Sequence, residues 1–112
     1  MHTGEDLSCK YFHKGTFSLP SIDGTDHKII RNNKKQIEIV SFKGLQSEYD
    51  IKWIDECTYI LYNRRVTKGV NEYPDFKDTL YNQITPLSKN KCKVTSWFKE
   101  SEKQDAVLTM IK

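Results

Sequence analysis

The sequence predicts an all-β domain in which about eight antiparallel strands follow one another as a meander and close into a small barrel. Short segments alternate apolar and polar residues, most plainly Tyr49, Ile51 and Trp53 against Glu48, Asp50 and Lys52. That period of two marks a strand with one buried face. Turn-forming residues separate such segments at roughly the 8–12-residue spacing of all-β domains. Closure follows from the strand count, because a meander of eight strands removes its exposed edges by closing. The chain has 112 residues, a length that fits one domain, and 12% aromatic residues, more than a disordered chain carries. No apolar run approaches the roughly 18 residues of a membrane helix.

The elements follow in order. Residues 1–8 are polar and are expected to be a disordered N-terminal segment, with a single domain over 9–112. Tyr11 to Leu19 reads as the first strand, with Phe17 and Leu19 on one face. Pro20 ends it and Asp23-Gly24 signals a hairpin. His27 to Arg31 is a short second strand closed by Asn32-Asn33-Lys34-Lys35. Gln36 to Phe42 is the third. Ile37 and Ile39 point one way, Gln36 and Glu38 the other, and Val40 and Phe42 share the second parity, which marks a bulge or a strand buried on both faces. Lys43-Gly44 turns the chain into the strand of Tyr49, Ile51 and Trp53. Asp55-Glu56 is the next turn, and Cys57 to Tyr62 completes a hairpin dense in β-branched and aromatic residues.

Arg64 to Tyr73 is polar and reads as a loop. Pro74 and the spacing of Phe76, Leu80 and Ile84 predict one helical turn near 74–78. A strand over Thr79 to Thr85 follows. Cys92, Val94, Ser96 and Phe98 alternate with Lys93, Thr95 and Trp97. After the charged turn Lys99 to Asp105 comes a last strand, Ala106 to Ile111.

Lys plus Arg is 18 and Asp plus Glu 15, a formal charge of +3. The basic residues gather at Lys28, Arg31, Lys34 and Lys35, at Arg64, Arg65 and Lys68, and at Lys89, Lys91 and Lys93. Lysine-rich turns and edges that resist edge-to-edge pairing explain them. The alternative is a basic face for single-stranded nucleic acid, although a dedicated nucleic-acid binder carries a denser stripe. Cys9, Cys57 and Cys92 form no C-x-x-C pair, which argues against a zinc ribbon or a thioredoxin-type site. One disulfide with a free third thiol fits an exported protein, and three thiols fit a cytosolic one.

Beyond these patterns, Gly15-x-Phe17 resembles the Gly-x-Trp opening of lipocalins, with Phe in place of Trp. A longer likeness runs over residues 9 to 62. Cys9-x-x-Phe12-x-x-Gly15-x-Phe17, Ile30-Arg31, Gln36-x-Glu38 and Ile51-x-Trp53-Ile54-Asp55-x-Cys57-x-Tyr59-x-Leu61 are similar to a family of small lipocalin-like envelope proteins of Bacteroidetes-type bacteria, often exported lipoproteins. The resemblance implies a lipocalin-like, calycin-type barrel in the periplasm or at the outer membrane. Any lipid anchor would lie outside this sequence. It also implies that Cys9 pairs with Cys57, leaving Cys92 free. That family has no established function, so no chemistry comes with the likeness. The chain is shorter than a typical lipocalin, which argues against a deep cavity.

No pattern of catalysis stands out, and a non-enzymatic protein without cofactor or metal is expected. There is no Gly-x-Ser-x-Gly elbow. Cys57 with His13 and Asp55 is a thiol site on paper, but an apolar strand cysteine is usually structural. Cys9 and His13 sit about 13 Å apart if both are on one strand, too far to share an ion. Asp55-Glu56 and the Asp75–Asp78 pair read as solvated turn residues. The aromatics either fill the core or line a cavity. Phe17, Ile39, Ile51, Trp53, Tyr59, Leu80 and Val94 are the candidates for its lining. The expected partner is a small hydrophobic ligand or an envelope protein, and the oligomeric state is left open.

Overall fold

A computed structural model gives the fold and describes residues 8–20, 26–40, 44–70, 79–99 and 101–111. Eight strands run in sequence order: β1 (Gly15–Pro20), β2 (Asp26–Arg31), β3 (Lys35–Val40), β4 (Leu45–Trp53), β5 (Thr58–Lys68), β6 (Leu80–Pro86), β7 (Lys91–Trp97) and β8 (Gln104–Met110). Each pairs antiparallel with the next, and β8 returns to β1 to close the barrel. The fold is therefore the all-β meander that the alternation predicts. The expected helical turn near 74–78, residues 1–7 of the N-terminal segment and the Asp23-Gly24 hairpin lie outside the described residues.

The first expected strand begins too early. Cys9–Phe12 is a 3-10 turn, and extended structure starts only at Gly15. The Ser8 side chain accepts from the Lys10 N–H at 3.1 Å and caps the turn. Cys9 and Phe12 are both buried, so the turn acts as a plug at one barrel end. A Cys9–Cys57 disulfide, with an S–S distance of 2.00 Å, fastens that plug to the β4–β5 turn. Cys92 is free and buried in the core, where loss of hydration pushes its thiol up to about 11.

Strand β5 is longer than the sequence suggests, because residues 64–68, read as loop, continue the ladder with β4. Cross-strand ion pairs stabilise that extension. The Arg65 guanidinium meets Glu48 at 2.8 Å and Asp50 at 3.1 Å, and Lys35 reaches Glu48 from β3 at 2.9 Å. The bonds from Arg65 and Lys35 hold the Glu48 carboxyl below its ordinary value, and those from Asn63 and Arg65 do the same for Asp50. Beyond the strand end Gly69 has φ +87, and a Cβ there would stand 2.7 Å from the Gly44 carbonyl oxygen, so only glycine allows the two chain segments to approach.

A bulge in β5 sets which side chains face inward. The register between β4 and β5 shifts between Glu48 and Asp50, with Asn63 at φ 53. Asn63 donates to Asp50 at 2.9 Å, fixing the left-handed residue. Tyr59 and Leu61 face inward, so strict alternation would send Asn63 in and Arg64 out. The extra residue reverses this, and Arg64 bonds the buried Ser47 at 3.2 Å.

Removing the bridge as Cys9→Ala/Cys57→Ala is expected to lower the unfolding free energy by roughly 2–4 kcal/mol, the range for a loop of 48 residues; denaturant titration of the variant beside the oxidised protein measures it. At the bulge, Asn63→Gly is expected to stay within about 0.5 kcal/mol of the parent, whereas Asn63→Val loses about 1–2 kcal/mol because a β-branched side chain resists positive φ. Equal effects of the two substitutions would remove the strain argument.

Candidate functional site

The plugged end is built around one cation. Arg31 ends β2 and is 2% exposed. Its Nε donates to Gln36 Oε1 at 3.0 Å, Nη1 to the Phe12 carbonyl at 2.8 Å and Nη2 to the Tyr59 hydroxyl at 2.9 Å. The guanidinium carbon also lies 4.9 Å from the Phe17 ring centre and 4.7 Å from that of Tyr59. The charge is thus held between two π faces while neutral acceptors take its N–H groups. The stack continues outward. Trp53 lies 4.7 Å from Tyr59, and His13 is stacked on Trp53 at 3.5 Å with its Nε2 2.7 Å from the Glu56 carbonyl. The Trp53 indole N–H is buried with no partner among the described residues.

Above this floor lies a cavity of about 120 Å³. Its lining mixes apolar side chains, among them Leu19, Ile29, Leu61, Val94 and Leu108, with the polar Arg31, Gln36, Glu38, Asn82 and Ser96. Asn82 accepts from the Ser96 hydroxyl at 2.7 Å and donates to the Leu80 carbonyl at 3.0 Å. Burial pushes the Glu38 carboxyl upward, while His27 and Arg64 pull it down through space. Tyr49, beside Glu38 and bonded by Arg64, is pushed up to about 12 by its burial and that neighbouring carboxylate. The upper barrel interior is therefore a polar neighbourhood of His27, Glu38, Ser47, Tyr49 and Arg64, contributed by four successive strands.

The residues expected to line an interior divide three ways. Phe17, Ile51, Tyr59 and Val94 are buried in the core cluster, and Trp53 and Leu80 pack against it half-buried. Tyr59, Leu80 and Val94 also line the cavity. Ile39 does not join them. Gln36 and Val40 are buried and Glu38 lines the cavity, so Ile39, alternating with them, takes the opposite face. The physical reason is Arg31: its Nε needs Gln36, and that bond fixes the parity of β3. Sequence reasoning missed Arg31, Gln36, Glu38, Asn82 and Arg64. Shared parity is the signal that could have found all but Arg64: Arg31 with Ile29, Gln36 and Glu38 with Val40, and Asn82 with Leu80 and Ile84.

The other expected chemistries also receive a geometric answer. Cys9 and Cys57 are joined to each other, so neither offers a thiolate. Asp55 accepts from the Cys57 N–H at 2.9 Å and serves the turn. Nor do the basic clusters form one surface. Arg31 and Arg64 bond inside the barrel, Lys35 and Arg65 are in ion pairs, and Lys68 and Lys91 begin or end strands at opposite ends of the barrel. On the outside, Tyr81 and Trp97 stack at 5.9 Å with Lys103 over the Trp97 ring. Beside them runs a groove of about 580 Å³ lined by Leu80, Trp97, Phe98 and Glu102 among others.

Glu38→Gln is expected to stabilise the protein at neutral pH. The Glu38 pKa is raised on folding from 4.5, so the folded state binds its proton more tightly than the unfolded state. Stability is then lost as pH rises from 4.5 through the folded value. The gain from the substitution should be present at pH 7 and vanish below pH about 4.5. Denaturation midpoints of both proteins across that range test it, and a gain independent of pH would refute the assignment.

A disulfide of this kind points to a non-reducing, extracytoplasmic environment. Among the described residues no helix is long and apolar enough to cross a membrane. No protein-family model, no curated protein and no solved structure matches this chain.

Proposed function

We propose that this chain is a non-enzymatic binding protein of the bacterial envelope, of lipocalin-like type, that holds a small ligand inside its barrel. The observation that carries the reading is the cavity of about 120 Å³ above the Arg31 floor, whose lining mixes apolar and polar side chains. Its volume is below the roughly 300–1,000 Å³ of pockets for drug-sized ligands. A long lipid does not fit it, and a small molecule with an apolar part and a polar head does. The disulfide supports export, and the resemblance of residues 9 to 62 supports a periplasmic or outer-membrane-associated protein. A second reading, docking of an envelope protein, is favoured by the outer groove beside the Tyr81–Trp97 stack. A nucleic-acid face gains little from Arg31, Lys35, Arg64 and Arg65, which are already bonded within the fold.

Ala106 lines the cavity, and Ala106→Phe projects a ring into it. A small amphiphile that binds inside should raise the unfolding temperature of the parent with rising concentration, and leave the circular-dichroism-verified variant unmoved. A panel of such amphiphiles that shifts neither protein, or both equally, would exclude interior binding.

A further inference from the structure

We infer that the cavity receives a short aliphatic carboxylate, with its carboxyl group on the Arg31 guanidinium and its tail against Leu19, Val94 and Leu108. This rests on the proposed role of the barrel interior as a binding site, and names the ligand class that site takes.

Three features of the cavity lead there. The first is the incomplete use of Arg31. A guanidinium carries five N–H donors, and the bonds to Gln36, Phe12 and Tyr59 use one on each nitrogen. One further N–H on Nη1 and one on Nη2 lie beyond those bonds, on a residue that lines the cavity. N–H donors on a guanidinium are the groups that receive the oxygens of a carboxylate.

The second is charge. All three acceptors on Arg31 are neutral, and a buried cation without an anion is unfavourable. Glu38 lines the same cavity, yet the groups that pull its pKa down are His27 and Arg64. No ion pair joins it to Arg31 among the described residues. Glu38 therefore belongs to the upper cluster, and the floor keeps an unneutralised positive charge. An ammonium ligand would meet that charge, and a neutral alcohol would leave it unbalanced.

The third is size and the apolar part of the lining. The cavity, about 120 Å³, is small. That space fits a chain of a few carbons, with its methylene groups on the aliphatic side chains contributed by β1, β7 and β8.

The test uses the full oxidised chain and three probes of one shape: butyrate, butylammonium and 1-butanol, titrated by calorimetry and by chemical-shift perturbation. Butyrate is expected to bind about tenfold more tightly than either of the others, the scale of a charge-assisted pair. Glu38→Gln, which removes a neighbouring negative charge, is expected to tighten butyrate several-fold and leave 1-butanol unchanged. Arg31→Gln, where circular dichroism shows it folded, should abolish the preference. Binding of butylammonium or 1-butanol at least as tight as butyrate overturns the carboxylate assignment while the cavity reading stands. Shifts in none of the three overturn both. An unchanged or weakened butyrate affinity in Glu38→Gln also counts against the inference, whatever the fate of the Arg31 variant.

Discussion

A single buried guanidinium constrains most of what surrounds it. Arg31 closes β2 at the plugged end, and its guanidinium lies against the rings of Phe17 and Tyr59. Burial of a cation is tolerated only when its donors are met, and leaving a buried donor unmet typically costs about 1–3 kcal/mol, more on a charged group. Each acceptor then fixes an element. The Phe12 carbonyl anchors the 3-10 plug, Gln36 fixes the face of β3, and the Tyr59 hydroxyl orients the first residues of β5. The disulfide ties the same plug to the next turn, so a covalent link and a charge-assisted one restrain four residues of chain from two sides.

The polarity of the interior follows. Once Gln36 faces inward, Glu38 must do so two residues later, and its carboxylate lies among His27, Ser47 and Arg64. The bulge at Asn63 supplies the last of these. A local backbone irregularity and a buried charge thereby cooperate over two strands, and the outer ion pairs of Arg65 with Glu48 and Asp50 lock the bulge from the other side.

Strand count, order and closure were legible because most strands carry apolar residues on one parity, as in Tyr59 and Leu61 or Cys92 and Val94. Legibility failed where that coupling breaks. In β3 the apolar residues Ile37 and Ile39 lie outside and Gln36 lies inside, the reverse of what hydrophobicity suggests. In β5 the stretch Arg64–Lys68 is too polar to read as a strand, and its stability comes from cross-strand charge pairs that no local pattern reveals. At the start, Tyr11 and Phe12 look extended by composition, but a cap at Ser8 and distant partners at Arg31 and Cys57 favour a tight turn. Each of these departures depends on side-chain partners that the apolar–polar alternation does not register.

The meander has one further consequence, in the order of assembly. Every strand pairing except one joins neighbours along the chain, so most of the sheet consists of local contacts. The exception is the β1–β8 seam, which has two register pairs, Phe17 with Met110 and Ser18 with Thr109, and an added bond from the Ile111 N–H to the Thr16 carbonyl. Nearly the whole chain must be looped to bring those residues together, so this seam carries the largest closure entropy in the molecule. Oxidation alters that. With Cys9 tied to Cys57, the covalent path between the two seam strands shortens by roughly a third. The bridge that fastens the plug therefore also brings the two ends of the barrel within shorter reach of each other.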